Sequence, residues 1–312
     1  MYKTTSGSAL LTALFIMTLV AIVATAMSLK VQTDIYRTRL TTTHDKLYLA
    51  SQAVAFWAIS ELTDNKNRFG KLLEDGAVAH FPSKMETMQQ GLKLRGRLYD
   101  LQAQYNLNNL ADRKSILIFN NLLNQASTKM TMPDKMQVTL ASEDWVTNFD
   151  PSHGVDHFNA YYQSQKPAYN ASHQFMQSKS EFRLVRGVSA ALYQALEPWF
   201  TVLPQDSLPV NINTVSKEVL MALGGRISEQ KINSLITARN TKEIQKLIEI
   251  SDLLIATGLG SEQFTTESTY FLSVANVNMD EFNLVVYTLL KRARDKHKAI
   301  KVHIVRQSFN GF

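Results

Sequence analysis

The side chains best placed by type and spacing to do chemistry are the acids and imidazoles between residues 143 and 157. Glu143-Asp144-Trp145 leads on to Asp150, and Gly154-Val155 is followed by Asp156-His157. Carboxylates grouped in this way are hard oxygen donors of the kind calcium collects, and a merely solvated acidic loop has the same composition. His153 and His157 have the four-residue spacing of a zinc pair, but Gly154 and Pro151 argue against the helix such a pair needs. The remaining catalytic kits are missing. There is no Gly-x-Ser-x-Gly elbow, no His-Glu-x-x-His and no Gly-rich phosphate loop followed by Lys, and with zero cysteines there is no thiolate nucleophile. An enzyme is not expected.

Phosphate recognition is the second chemistry to weigh. Val210-Asn211-Ile212-Asn213-Thr214 opens a stretch to Arg239 that reads as two short helices around Gly224-Gly225-Arg226-Ile227-Ser228. Helix-hairpin-helix modules aim backbone N–H groups at phosphate through a Gly-x-Gly tip. Here the second glycine of that tip, beyond Ile227, is missing, although Arg226 remains. The favoured reading is a structural hairpin, with Asn211 and Thr214 as turn and cap and Val219, Leu223, Ile227, Ile232 and Leu235 as core. The alternative is a membrane-anchored DNA-binding protein akin to competence receptors. The basic run Lys291, Arg292, Arg294, Lys296, Lys298 and Lys301 reads as a solvated hairpin that discourages edge pairing, and the net charge of +6 is spread over the chain. No nucleic-acid partner is expected.

The element that must position everything else is at the N-terminus. Ser8 to Leu29 is 22 residues without a charge, preceded by a seven-residue leader whose only charged side chain is Lys3. As a helix it reaches about 33 Å, enough to cross a hydrocarbon core. Thr12, Thr18, Thr25 and Ser28 can bond back to helix carbonyls and do not forbid insertion. A secretory signal peptide has a shorter apolar stretch and a cleavage site after it, for which Ala24 and Ala26 are a weak match; a plain signal anchor is the other alternative. Gly7 followed by Ser8-Ala9-Leu10-Leu11 instead matches leaders of pilin type, which are cut before the apolar stretch. Most pilins carry a Glu five residues after the cut, where this chain has Thr12. A lone carboxylate in a bilayer costs about 2.5–3.5 kcal/mol, tolerated where a neighbouring subunit compensates it, so a subunit with nobody ahead of it has no use for one.

Behind the span, the 312 residues are 45% hydrophobic and 19% charged, the composition of one or two folded domains. The helical pattern continues to about Leu62 with a stripe of Leu47, Ala50, Val54, Trp57 or Ala58, and Leu62, and Asp64 to Asn67 followed by Gly70 reads as its exit. Leu92, Leu94 and Leu98, then Tyr99, Leu101, Ala103 and Tyr105, alternate as a strand whose phase slips after Leu98, as at a bulge or turn. Tyr270 to Val277, Phe282 to Leu290 and Ala299 to Val305 alternate too. Strands at both ends of a helical middle predict one sheet interrupted by an insertion.

The order of several motifs then becomes informative. Asp100-Leu101-Gln102 with Tyr105-Asn106-Leu107-Asn108-Asn109-Leu110, the block from Ser180-Glu181 to Gly187, Leu203-Pro204, and Val210 to Thr214 together resemble the minor pseudopilin K family of type II secretion systems. The resemblance covers nearly the whole chain, the missing Glu included. It implies an α+β, pilin-like fold with a large inserted α-helical domain containing a helix-hairpin-helix-like (SAM-like) motif. The implied parts are a leader at 1–7, a transmembrane segment at 8–29, a pilin-like domain at 30–105 and 266–312, and the insertion at 106–265. It also implies cleavage between Gly7 and Ser8 by prepilin peptidase, N-methylation of Ser8, and an inner-membrane anchor with a periplasmic head. The role it implies is at the tip of a pseudopilus with minor pseudopilins I and J, with minor pseudopilin H and the major pseudopilin as further neighbours. Some family members bind calcium in the loop after Trp145. Here Asp144, Asp150 and Asp156 are the candidate ligands, but Thr147 replaces the usual Asp and Asp156-His157 the usual acidic pair.

Overall fold

The computed structural model describes residues 6–87, 91–126, 129–150, 152, 156–225, 227–297 and 299–312. Helix α1, Ser6–Thr63, runs without a break for 58 residues, as a segment free of Pro and of interior Gly after Gly7 allows. Every residue from Ser8 to Thr42 is exposed, and the first buried one is Thr43. It is a helix long and apolar enough to cross a membrane. The threonines in it are satisfied locally: Thr12, Thr18 and Thr25 donate to the carbonyls of Ala9, Phe15 and Ala21 at 2.8–2.9 Å.

The second half of α1 lies on an antiparallel sheet. Its first strands are β1, Ala79–His80, and β2, Leu92–Asp100. The chain then leaves the sheet for β3, Tyr105–Asn106; α2, Ser115–Ala126; α3, Met132–Val146; α4, Asn159–Gln163; and α5, Ala190–Leu196. It continues through β4, Phe200–Thr201; β5, Val210–Asn211; α6, Lys217–Gly224; α7, Glu229–Thr241; α8, Ser251–Thr257; and β6, Phe264–Thr265. It returns as β7, Tyr270–Met279; β8, Phe282–Arg294; and β9, Ile300–Phe309. The five-stranded sheet has the order β1-β2-β7-β8-β9. Thus β2 pairs with β7 across the whole insertion, Leu92 opposite Met279 and Asp100 opposite Phe271.

Strand β2 alternates buried and exposed from Leu92 to Asp100 with no slip, because the period-two pattern puts Leu92, Leu94 and Leu98 under α1. The expected irregularity after Leu98 is displaced to a 3₁₀ turn at Leu101–Ala103, where the chain exits. A bulge does occur, but between Leu289 and Leu290 in the β8–β9 pairing. Leu47, Val54, Ala58 and Leu62 of α1 meet Leu94, Leu98, Phe271, Val277, Val286 and Leu290. The approach is closest at Gly96, where a Cβ would fall 2.5 Å from Val54 Cγ1 and 2.8 Å from Phe81 Cβ. Leu101, Leu203, Tyr270, Leu272, Val274 and Leu289 form a separate core on the opposite face, so the first half of β7 is buried on both sides.

The end of α1 is held by a residue that the sequence reading places in solvent. Arg292 is 6% exposed. Its Nε donates to the Leu62 carbonyl at 2.9 Å, and Nη2 to those of Asp64 and Asn67 at 3.3 and 2.9 Å. Leu62 belongs to the last turn of α1, whose carbonyls lack helix partners, and Asp64 and Asn67 to the turn just beyond it, so the guanidinium fork ties three carbonyls together at once.

Candidate functional site

Three places carry the residues singled out by the sequence. At the N-terminus, Gly7 and Ser8 lie in the first turns of α1 and Ser8 is exposed, while residues 1–5 of the leader lie outside the described residues. Thr12 sits one turn on, its hydroxyl turned back onto the Ala9 carbonyl of its own helix.

The second place is the joint between sheet and insertion. Asp100 closes β2 and is buried. Its Oδ2 accepts from Thr214 Oγ1 at 2.6 Å, Ser268 Oγ at 2.7 Å and Asn211 Nδ2 at 3.0 Å, and Oδ1 from the Gln102 amide at 2.9 Å. Complete burial outweighs these four donors and pushes the carboxyl above its usual range. Thr214 is therefore not the helix cap expected of it; Ser216 caps α6 by accepting from the Val219 amide. Asparagines hold the neighbouring irregular backbone. Asn108 bonds Met176 N and O and Leu203 O, Asn109 bonds Leu208 N and O, and Asn213 bonds Ile244 N and O. An amide side chain presents one donor and one acceptor to a passing strand, as a backbone would, which buried loops require. In the Ser180–Gly187 block, Glu181 accepts from the Gln177 and Ser178 amides at the start of a 3₁₀ helix, and Phe182 is fully buried.

The hairpin of α6 and α7 is closed by its own packing. Val219, Ile232 and Leu235 are buried, with Leu223 and Ile227 packed against the same core. A Cβ on Gly224 would collide with Ile227 Cδ1 at 1.9 Å, so that glycine serves close packing. At the start of α7, where a phosphate would approach, Glu229 is ion-paired with Lys217. Arg226 lies outside the described residues.

The third place is the acidic loop. Asp144 and Asp156 converge with His173, which the sequence reading missed because it lies beyond the acidic run. His173 Nδ1 and Nε2 stand 3.2 Å from the Asp144 carbonyl and from Asp156 Oδ2. Asp156 Oδ1 accepts from the Phe158 and Asn159 amides, and Asp144 Oδ2 is buried without a partner. Burial, then the nearby Asp156, pushes the Asp144 carboxyl up to about 6. Asp150 is not in the group; its Oδ1 accepts from the Ser152 amide. His153 and Gly154 lie outside the described residues. Among the described residues, two carboxylates and an imidazole are close enough to hold a metal ion, but they offer fewer oxygens than the six to eight calcium takes.

Comparison with known proteins identifies the architecture. Residues 103–205 and 210–269 match two family models, both described as type II secretion system protein K. Together they cover more than half of the chain. The chain belongs to the type II secretion system protein K family. The two matches begin just past the exit from β2 and end just before β7, so they fall on the inserted part. Type II secretion system protein K of Aeromonas hydrophila is 32% identical over 233 residues, 68% of each chain. That of Pseudomonas aeruginosa is 27% identical over 216 residues, covering 67% of this chain and 63% of the relative. A chain of the crystal structure of the GspK–GspI–GspJ complex from enterotoxigenic Escherichia coli superposes with a TM-score of 0.68. It is 19% identical and aligned over 88% of this chain and 100% of that one, a likeness of fold. As a protein K, the molecule is a minor pseudopilin of the type II secretion system, and its family is a structural component of the secretion machinery.

Proposed function

We propose that this protein K sits at the tip of a periplasmic pseudopilus, joined to minor pseudopilins I and J, and primes or caps the fibre that exports folded proteins across the outer membrane. It is anchored in the inner membrane by the first part of α1 with its head in the periplasm. Prepilin peptidase cuts between Gly7 and Ser8, and the new amine of Ser8 is methylated. Minor pseudopilin H and the major pseudopilin follow it in the fibre. In this reading the pilin-like domain is residues 30–105 and 266–312, and residues 106–265 form an inserted helical domain whose α6–α7 hairpin is SAM-like and structural.

The observation that carries the reading is Thr12. Its hydroxyl is satisfied by the Ala9 carbonyl, so the fifth position after the cut asks nothing of a subunit ahead. The bare surface of α1 from Ser8 to Thr42 leaves room for neighbours beside it. The test is mass spectrometry of the chain purified from membranes of cells that contain the peptidase, with co-purification of I and J. A methylated N-terminus at Ser8 and capture of both partners are expected. An intact Met1 start would sink the pilin-type processing, and loss of both partners would sink the tip position.

A further inference from the structure

Asp144 from the last turn of α3, Asp156 from the loop before α4 and His173 from the loop after it place one ligand atom each within 4.8 Å of one another. The imidazole decides what such a group can hold. A neutral imidazole has one donor and one acceptor. Yet both nitrogens of His173 face oxygens that accept, Nδ1 the Asp144 carbonyl and Nε2 Asp156 Oδ2, each at 3.2 Å. With Nδ1–H on the carbonyl, the Nε2 lone pair points at a carboxylate, an arrangement that a cation held between the two atoms relieves. Asp144 Oδ2 is buried without a hydrogen-bond partner. Protonation of His173 satisfies Nε2 but leaves that oxygen as it is.

Calcium collects oxygens, whereas zinc takes imidazole and carboxylate together, four-coordinate, with water in the fourth place where the protein supplies three ligands. Two ligands on one tetrahedral zinc stand about 3.3 Å apart. His173 Nε2 and Asp156 Oδ2 stand 3.2 Å apart. The orienting bonds are in place as well: the Asp144 carbonyl fixes the imidazole through Nδ1, and Asp156 Oδ1 accepts from the Phe158 and Asn159 amides, which leaves Oδ2 for an ion. The His173 and Asp156 side chains are 19% and 12% exposed, shielded yet reachable from solvent. We propose that Asp144, Asp156 and His173 bind a zinc ion, which clips the end of α3 to the loops on either side of α4. The chain between α3 and α5 is mostly irregular, and closing a long loop is where such a clip contributes most. The inference does not rest on the tip position, because it concerns the insertion alone.

The test uses the untagged full chain in detergent micelles, stripped of metal and dialysed, with zinc chloride as the probe. Calorimetric titration is expected to show saturation at one zinc per chain, and the melting temperature to rise with zinc. His173→Gln should weaken zinc about 100-fold. Because that change also removes the contact with the Asp144 carbonyl, Asp156→Asn supplies a second variant. Its amide oxygen can still accept from the Phe158 and Asn159 amides, and the lost charge should weaken zinc about 10-fold or more. His80→Gln, at the separate pair of His80 and Asp75, should leave the affinity unchanged. Absence of saturable zinc binding would overturn the proposal and leave His173 as an imidazolium paired with Asp156. Undiminished affinity in folded His173→Gln or Asp156→Asn protein would overturn it too, and so would displacement of zinc by millimolar calcium, the mark of an oxygen site.

Discussion

Asp100 and Thr214 lie 114 residues apart and share a buried hydrogen bond of 2.6 Å. Through it the strand that leaves the sheet is tied to the loop that carries α6, and Ser268, at the point of return, bonds the same carboxylate oxygen. The joint of the insertion is thus one carboxylate with a donor from each passing segment. Asp100→Ala leaves those donors unsatisfied at a site closed to water and is expected to cost about 3–5 kcal/mol. Chemical denaturation of the purified protein measures it, and a loss under about 1 kcal/mol would show that water or the backbone replaces the carboxylate.

The pH dependence of this joint has a definite sign. The folded carboxyl of Asp100 is pushed up by burial, so between the unfolded value of about 3.9 and its folded value the native state holds more protons than the unfolded state. The stability it contributes is full below the unfolded value and is lost as pH rises through the folded one. Asp100→Asn cannot titrate there. The stability gap between parent and Asp100→Asn should therefore narrow as pH rises from 4 toward neutrality, followed by denaturant titration at each pH. A gap that widens would mean the four donors dominate over burial.

Arg292 binds the Leu62 carbonyl in the last turn of α1 and those of Asp64 and Asn67 just beyond it. Arg292→Met should cost about 2–4 kcal/mol and speed amide exchange near Thr63, because a helix end is then buried without partners. Arg292→Lys should recover less than half of that loss, since one ammonium cannot span Leu62, Asp64 and Asn67 as a planar fork does.

Asn108 is fully buried and bonds two separate strands of loop, at Met176 and Leu203. Asn108→Ala should cost about 2–3 kcal/mol and raise exchange at the Met176 amide, while Leu107→Met, a change of similar volume beside it, should cost less than about 1.5 kcal/mol. Comparable losses from both would indicate that packing volume, not hydrogen bonding, holds the loop.

These residues mark where the sequence was readable. The long helix, its stripe from Leu47 to Leu62 and the strands around Leu94, Val274 and Val286 follow from periodicity, because burial on one face imposes a regular spacing. The insertion follows from strands at both ends. Arg292 was misread because nothing in a run of Lys and Arg reveals which side chain turns inward; that is decided by the end of a helix 230 residues away. Thr214 likewise bonds a residue far upstream and leaves the capping of α6 to Ser216. At the acidic loop the pattern located Asp144 and Asp156 but not His173, whose distance in sequence carries no metal-like spacing.

Metal dependence can be checked directly at that loop. With His173 set between the Asp144 carbonyl and Asp156, the group is expected to be indifferent to calcium. The melting temperature should be the same in chelator and in millimolar calcium, whereas a site filled to 100 times its Kd would add about 2.7 kcal/mol. A rise with calcium would show that the loop holds the ion after all.

Thr12 offers the sharpest test of position in the fibre. Its hydroxyl bonds the Ala9 carbonyl, so Thr12→Val loses only a local bond in an already complete helix and should leave membrane insertion and secretion unchanged. Thr12→Glu places a carboxylate in the apolar stretch at a cost of about 2.5–3.5 kcal/mol unless a neighbouring amine meets it. A subunit with another ahead of it would recover that cost through the pairing; a subunit at the tip would not. Thr12→Glu is therefore expected to reduce the inserted fraction in membrane extracts and, in proportion, the export of a reporter protein. A variant that inserts and supports export like the parent would mean that an amine is available to Glu at this position, and the tip location would then rest on the head and its contacts with minor pseudopilins I and J.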